Sequence, residues 1–135
     1  MWFSDSRGVA IGKITPKGTI TEYVAPDHAY RYAKGIAFGP NGEPWILGID
    51  VRRSGHEPPL LAHLNRKGTI EAQLLPVGMH PVPGAALTAD VYGNLWFIAF
   101  NRDRHVGELV VVAQALRSPV RRFRVLSRLR RTVDT

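Results

Sequence analysis

The residues of this chain that could bind a metal ion or transfer a proton are few and scattered. Among the 135 residues are 5 histidines, and none forms a recognised metal-ligand spacing with another. His56 and Glu57 adjoin in one predicted loop, and Asp103 and His105 lie in the corresponding loop of the next sequence unit. Loops carry a disproportionate share of binding residues, so these four are our candidates for ligand contact. The prolines that follow Glu57 are equally compatible with a stiff, exposed linker.

Nucleophilic catalysis has little support in the sequence. The chain has 0 cysteines, which excludes disulfides and thiolate metal sites and fits a reducing compartment. No Gly-x-Ser-x-Gly elbow, phosphate-binding loop or dinucleotide-binding glycine run occurs in the sequence. Any site must therefore be assembled by the fold from distant residues, and the elements that would assemble it are repeated.

The chain contains an internal repeat whose units start at Trp2, Trp45 and Trp96. The segment IGKITPKGTITEY of residues 11–23 returns as LAHLNRKGTIEAQ in residues 61–73, and GIAFGPNGEPWI of residues 35–46 returns as GAALTADVYGNLWF in residues 84–97. Repetition at a nearly fixed period indicates an array of similar structural units. The second unit carries an insertion at about residues 50–59, and such insertions usually map to loops on a binding face.

Each unit has the pattern of short strands separated by turns, and the fold class is predicted to be all-β. Hairpins are expected at Pro16–Gly18, at Asn41–Gly42 and at Gly93–Asn94, because Pro, Asn and Gly suit the special backbone angles of tight turns. Four strands per unit of about 40 to 50 residues are typical of a β-propeller blade. Residues 1–112 are therefore interpreted as a partial β-propeller, with the tryptophans as packing anchors. When residues 106–108 (VGE) are aligned with residues 11–13 (IGK) and 61–63 (LAH), Glu108 takes the position of Lys13 and His63. This position is expected to face outward from the strand.

The repeat resembles that of the streptogramin lyase (virginiamycin B lyase) family. Gly93-Asn94-Leu95-Trp96-Phe97 reproduces the start of the family's repeat, and residues 11–23 are similar to its continuation. The resemblance implies a seven-bladed propeller whose active members open a cyclic depsipeptide antibiotic by magnesium-dependent elimination. It further implies a catalytic Glu shortly after the Trp-Phe pair and a His just before the Gly that opens the next strand.

This chain departs from that family pattern at the catalytic positions. Asp5, Gly48 and Ala99 follow the three tryptophans, and Lys34 and Pro83 stand where a His is expected. Asp5 is thus the only candidate for a catalytic or metal-binding residue, and it can equally begin a turn. We expect the visible blades to be non-catalytic, or the activity to have been lost.

The C-terminal segment, residues 113–135, departs from the repeat and is rich in arginine. From residue 117 onward it has seven arginines against one aspartate, which accounts for all but one of the net positive charges of +7. Apolar residues at near three-residue spacing allow a cationic amphipathic helix that could meet anionic lipid or nucleic acid. The alternative is a disordered tail of abruptly changed composition.

Three functions follow from this sequence as hypotheses. The first is a streptogramin-lyase-like enzyme that uses Mg²⁺ and is inactive as this chain alone. The second is a non-catalytic propeller scaffold that binds a small molecule or a protein, and the third is a lactonase-like, metal-dependent hydrolase. We further expect self-association through open blade edges and, since no run of about 18 apolar residues occurs, no membrane span. The expected location is cytoplasmic by default, although an upstream signal peptide could have been lost.

Overall fold

A computed structural model describes residues 1–5, 10–25, 30–50, 59–75, 79–81, 86–101, 105–113 and 120–124. These residues form an all-β structure without a helix, as the turn-rich sequence predicts. The strands are β1 (Trp2–Asp5), β2 (Ala10–Ile14), β3 (Ile20–Val24), β4 (Tyr30–Phe38), β5 (Pro44–Asp50), β6 (Pro59–Leu64), β7 (Ile70–Leu74), β8 (Met79–Pro81), β9 (Thr88–Ala89), β10 (Leu95–Asn101), β11 (Val106–Val112) and β12 (Val120–Arg124).

The strands form three antiparallel sheets in chain order. Sheet 1 has the order β1-β2-β3, and sheet 2 has the order β4-β5-β6-β7. Sheet 3 has the order β12-β11-β10-β8, with the short β9 also pairing with β10. Every pairing joins strands that are near in sequence, so each sheet is a meander of local hairpins. This is the organisation that a repeat of short strands and tight turns predicts.

Four of the hairpin turns share one backbone geometry. In each turn, the N–H of the first residue donates to the carbonyl of the residue four positions later. The N–H of the glycine at the fourth position donates to the carbonyl of the first residue. The first residues of the four turns are Thr15, Gly39, Asn65 and Asp90. The four glycines have φ between 75° and 84°, a region that disfavours residues with a Cβ. The expected match of Gly18 with Gly68 and the predicted hairpins are therefore confirmed.

Sheet 2 lies between the other two sheets. One cluster of buried side chains joins its Ile46, Leu60 and Ala62 to Ile11 of sheet 1. A second cluster joins its Leu47 and Leu61 to residues of sheet 3 that include Leu95, Phe97 and Val110. Since successive side chains of a strand point to opposite faces, Ile46 and Leu47 of the same strand serve different cores.

The tryptophans fall on equivalent faces of the three sheets, which we call the Trp faces. The Trp face of sheet 1, with Trp2 and Tyr23, packs against the opposite face of sheet 2. The Trp face of sheet 2 carries Trp45, which is 8% exposed and belongs to the core shared with sheet 3. Trp96 is half-buried on the outer face of sheet 3, because β10 alternates between buried and more exposed positions. Trp2 and Trp45 thus act as the packing anchors that the repeat predicts.

Two details of sheet 3 differ from the sequence-based expectation. Lys13 pairs with Trp2 and His63 pairs with Trp45, but the partner of Trp96 is Val111. Glu108 therefore does not occupy the position of Lys13 and His63, and it is buried rather than outward-facing. The β10–β11 ladder has more residue pairs than the β1–β2 ladder. The VGE motif, residues 106–108, therefore lies farther from the tryptophan along the sheet than the IGK motif of residues 11–13 does.

The second difference concerns the arginine-rich C-terminal segment. Val120–Arg124 form strand β12, which pairs antiparallel with β11 in a register that runs from Glu108 with Arg124 to Val112 with Val120. The amphipathic helix considered for this segment, like the disordered alternative, is therefore wrong over these five residues. Residues 114–119 and 125–135 lie outside the part of the chain that the structure describes.

Candidate functional site

Asp5, the candidate carried by the family resemblance, is the last residue of β1. It pairs with Ala10 across the β1–β2 ladder, and its side chain is half-buried and engaged in an interaction. The loop that follows, residues 6–9, lies outside the described residues. The position of Asp5 at the end of a strand is compatible both with a ligand contact and with the start of a turn.

Of the four loop candidates, only His105 lies in the described part of the chain. It is exposed and stands immediately before β11 with a φ of 51°, a conformation that is uncommon for residues other than glycine. His56, Glu57 and Asp103 lie outside the described residues. The role of these four residues in ligand contact therefore stays a prediction.

At the turn end of sheet 2, the structure assembles a cluster around His63 that the sequence motifs do not predict. The His63 ring stacks on Trp45 with 4.3 Å between ring centroids and 22° between planes. Its Nε2 atom lies 3.7 Å from Glu43 Oε2 and 3.6 Å from Glu71 Oε2. His63 thus stacks on an aromatic ring while its Nε2 atom lies near two carboxylates.

The neighbouring turn positions one of these carboxylates. The Asn65 amide donates a hydrogen bond to Glu71 Oε1 at 2.5 Å, while its Oδ1 accepts the N–H groups of Lys67 and Thr69. One side chain therefore shapes the turn and directs the acid toward His63. The predicted turn alone could have revealed part of this cluster, since it sets His63 opposite Glu71 across the hairpin.

Asp90 holds the turn between β9 and β10 of sheet 3 through four hydrogen bonds. Its Oδ1 accepts the N–H groups of Tyr92 and Asn94, and its Oδ2 accepts the Asn94 amide and the Trp96 indole N–H, all at 2.9 Å. The pKa of Asp90 is lowered from 3.8 to about 2, chiefly by the hydrogen bond from Trp96. The hydrogen bonds from Asn94 and Tyr92 also lower this pKa, whereas partial desolvation of the carboxylate raises it. A charged carboxylate is favoured where several donors converge on it.

A buried polar pair lies at the far end of the β10–β11 ladder. Asn101 is 5% exposed and Glu108 is 2% exposed, and the Asn101 amide lies 3.4 Å from Glu108 Oε1. Both residues take part in further interactions. Buried polar groups are retained where they are hydrogen-bonded, so we interpret this pair as part of the internal polar network of sheet 3.

Two outer sheet faces expose apolar side chains. On the Trp face of sheet 3, Ile98 is 50% exposed and Phe100 is 39% exposed, beside the half-buried Trp96. On the opposite end of the stack, the outer face of sheet 1 exposes Ile20 to 58% and Val24 to 51%. Clusters of exposed apolar side chains mark interaction surfaces more often than isolated ones do.

Within the described residues, no group of three or more His, Asp or Glu side chains is arranged to hold a metal ion. The same residues contain no helix long and apolar enough to cross a membrane. Comparison with protein-family models, with characterised proteins and with solved structures gives no match.

Proposed function

We propose that this chain is a non-catalytic scaffold built from propeller-type blades of the streptogramin lyase kind, and that it binds through its outer sheet faces. The observation that carries the proposal is the exposed Trp face of sheet 3. Trp96, Ile98 and Phe100 alternate there with four buried residues of the same strand. A stripe of exposed aromatic and aliphatic side chains on a sheet is typical of a protein contact surface.

The roles of the ionisable residues support a scaffold rather than an enzyme. Asp90 is saturated by donors of its own turn, and His63 is stacked on Trp45. Glu71 is held by Asn65 of the adjacent turn. Side chains that are committed to local structure in this way stabilise the sheets, and the apolar faces are left for recognition.

A second candidate is the Mg²⁺-dependent elimination of a cyclic depsipeptide, which the identity of Gly93–Phe97 to the family motif and the position of Asp5 favour. Mg²⁺ is usually bound by one or two carboxylates together with several waters. Among the described residues, Asp5 belongs to no group of three or more acidic or histidine side chains suited to a metal. Residues 6–9, which follow Asp5, lie outside the described part of the chain, and we derive no catalytic step through the ion.

An activity assay separates the two candidates. The full chain is incubated with a streptogramin B depsipeptide and Mg²⁺, and the masses of the products are determined by mass spectrometry. Elimination leaves the mass of the opened product equal to that of the cyclic substrate, whereas a lactonase-like hydrolysis adds one water. The scaffold proposal predicts no ring opening by the wild type.

The matched variants are Asp5→Asn and Glu22→Gln, since Glu22 is an exposed carboxylate of the same sheet. Ring opening that requires Mg²⁺, that is lost in Asp5→Asn and that persists in Glu22→Gln would overturn the scaffold proposal in favour of the lyase. Ring opening that is equal in all three proteins and insensitive to a chelator indicates a contaminating activity and leaves Asp5 without a catalytic role.

A further inference from the structure

The two internal interfaces of the molecule obey one rule of face pairing. In the first, the Trp face of sheet 1 packs on the opposite face of sheet 2; its partly buried Trp2 and Tyr23 adjoin the core that contains Ile46 and Leu60. In the second, the Trp face of sheet 2 packs on the opposite face of sheet 3. Each sheet therefore presents its Trp face to the next sheet along the chain.

The rule also describes the two faces that are exposed. The outer face of sheet 3 is a Trp face, which carries Trp96, Ile98 and Phe100. The outer face of sheet 1 is the opposite kind, because Ile20 pairs with Ile14, and Val24 with Ala10, on the side away from Trp2. One copy of the chain thus carries both halves of the interface that it forms twice internally.

We propose that the Trp face of sheet 3 binds the outer face of sheet 1 of a second copy of this chain, head to tail. The proposal rests on the scaffold function and names its partner. Such an interface is heterologous, because the two copies contribute different surfaces, and it continues from copy to copy until a ring closes. A dimer that used the same surface twice would bring together two Trp faces or two faces of the opposite kind, and neither internal interface does so.

Light scattering after size-exclusion chromatography tests the proposal with two variants of the full chain. Ile98→Lys disables the Trp face of sheet 3 and keeps the outer face of sheet 1, and Ile20→Lys does the reverse. Both residues are at least half exposed, so a lysine is tolerated in the single molecule. Val91→Lys is the matched control, since Val91 is 94% exposed in a turn. Circular dichroism and thermal melting establish that each variant is folded.

The expected result is a defined oligomer for the wild type and for Val91→Lys, and a monomer for each face variant alone. Each face variant should weaken association at least about tenfold, which corresponds to about 1.4 kcal/mol. An equimolar mixture of the two variants should form a 1:1 dimer, because each contributes the face that the other lacks. This complementation is specific to a head-to-tail interface.

Other outcomes overturn the proposal in distinguishable ways. Self-association of Ile20→Lys alone would mean that two Trp faces pair. A monomeric wild type, or a mixture that stays monomeric while the wild type associates, would mean that these two faces do not meet. The depsipeptide assay is scored on the same samples, so the scaffold function and the head-to-tail partner can fail independently.

Discussion

The indole N–H of Trp96 donates to the Asp90 carboxylate at 2.9 Å, linking the residue that begins the turn to the tryptophan that follows it. The equivalent turn of sheet 2 has Gly39 in place of Asp90 and Trp45 in place of Trp96. A Cβ built on Gly39 would lie only 2.7 Å from Trp45 Nε1. In sheet 3, the turn is therefore joined to its tryptophan by a hydrogen bond from the indole to a carboxylate. In sheet 2, the tryptophan ring instead packs directly against the backbone of Gly39.

The Asp90 carboxylate predicts an acid-sensitive component of stability. Its pKa is lowered in the folded state from 3.8 to about 2, first by the hydrogen bond from Trp96. A lowered pKa stabilises the fold above the unfolded value and loses that contribution as the pH falls toward the folded value. We expect the wild type to lose stability between about pH 4 and pH 2 more steeply than Asp90→Asn. Urea unfolding at a series of pH values measures the difference, and parallel curves would contradict this role of Asp90.

Replacement of Gly39 by aspartate is predicted to destabilise the fold, although Asp90 occupies the equivalent turn position in sheet 3. Either Gly39→Asp or Gly39→Ala forces a Cβ against the Trp45 ring, and overpacking of this kind costs about 1–3 kcal/mol. Gly107→Ala is the control, because a Cβ there meets no atom within 4 Å. Denaturant melts should show a lower free energy of unfolding for the Gly39 variants alone. Equal stability of the Gly39 and Gly107 variants would contradict this prediction, because it would mean that the Trp45 side chain can shift without lowering the free energy of unfolding.

His63 is predicted to stabilise sheet 2 chiefly through its ring. His63→Ala removes the 4.3 Å stack on Trp45, and an aromatic pair is worth about 0.5–1.5 kcal/mol beyond its buried area. His63→Phe keeps a stacking ring and removes the contacts with Glu43 and Glu71. Chemical denaturation should rank the wild type and His63→Phe close together and His63→Ala below them. If the Phe variant is as unstable as the Ala variant, the carboxylate contacts carry the effect.

The backbone at His105 predicts an unusual order of substitutions. Because its φ is 51°, a β-branched residue is strained there and a glycine is relaxed. His105→Gly should be more stable than His105→Val by about 1 kcal/mol or more. His80, which lies in strand β8, should give the reverse order, since strands favour valine over glycine. Thermal melting of the four variants checks both orders, and the same order at both sites would contradict the conformation assigned to His105.

The local turns of this fold could be predicted from the sequence, whereas the ladder registers could not. Gly18, Gly42, Gly68 and Gly93 sit in turns that need positive φ, and a glycine beside Pro, Asn or a polar residue signals such turns directly. The likeness of VGE to IGK aligns Glu108 with Lys13, whereas the ladder between β10 and β11 has a different register, in which Val111 lies opposite Trp96. Strand length is decided by pairing and packing that no short motif encodes.

The clustered polar residues also depend on register and packing. Asp90 and Trp96 are close in sequence, but their hydrogen bond needs the turn to direct the carboxylate at the indole. Glu43 reaches His63 from a different hairpin. The sequence does not predict strand β12, because its arginines do not alternate with apolar residues and pairing with β11 determines its conformation.

Amide hydrogen exchange of the full chain, at low and at high protein concentration, is the most direct test of head-to-tail binding. Head-to-tail binding through faces predicts that association slows exchange in β10 and in β2–β3, which present the outer faces, and leaves β5 in the central sheet unchanged. Slowed exchange confined to the edge strands β7 and β12 would indicate pairing through strand edges. That result, or exchange independent of concentration, would contradict the role assigned to the outer faces.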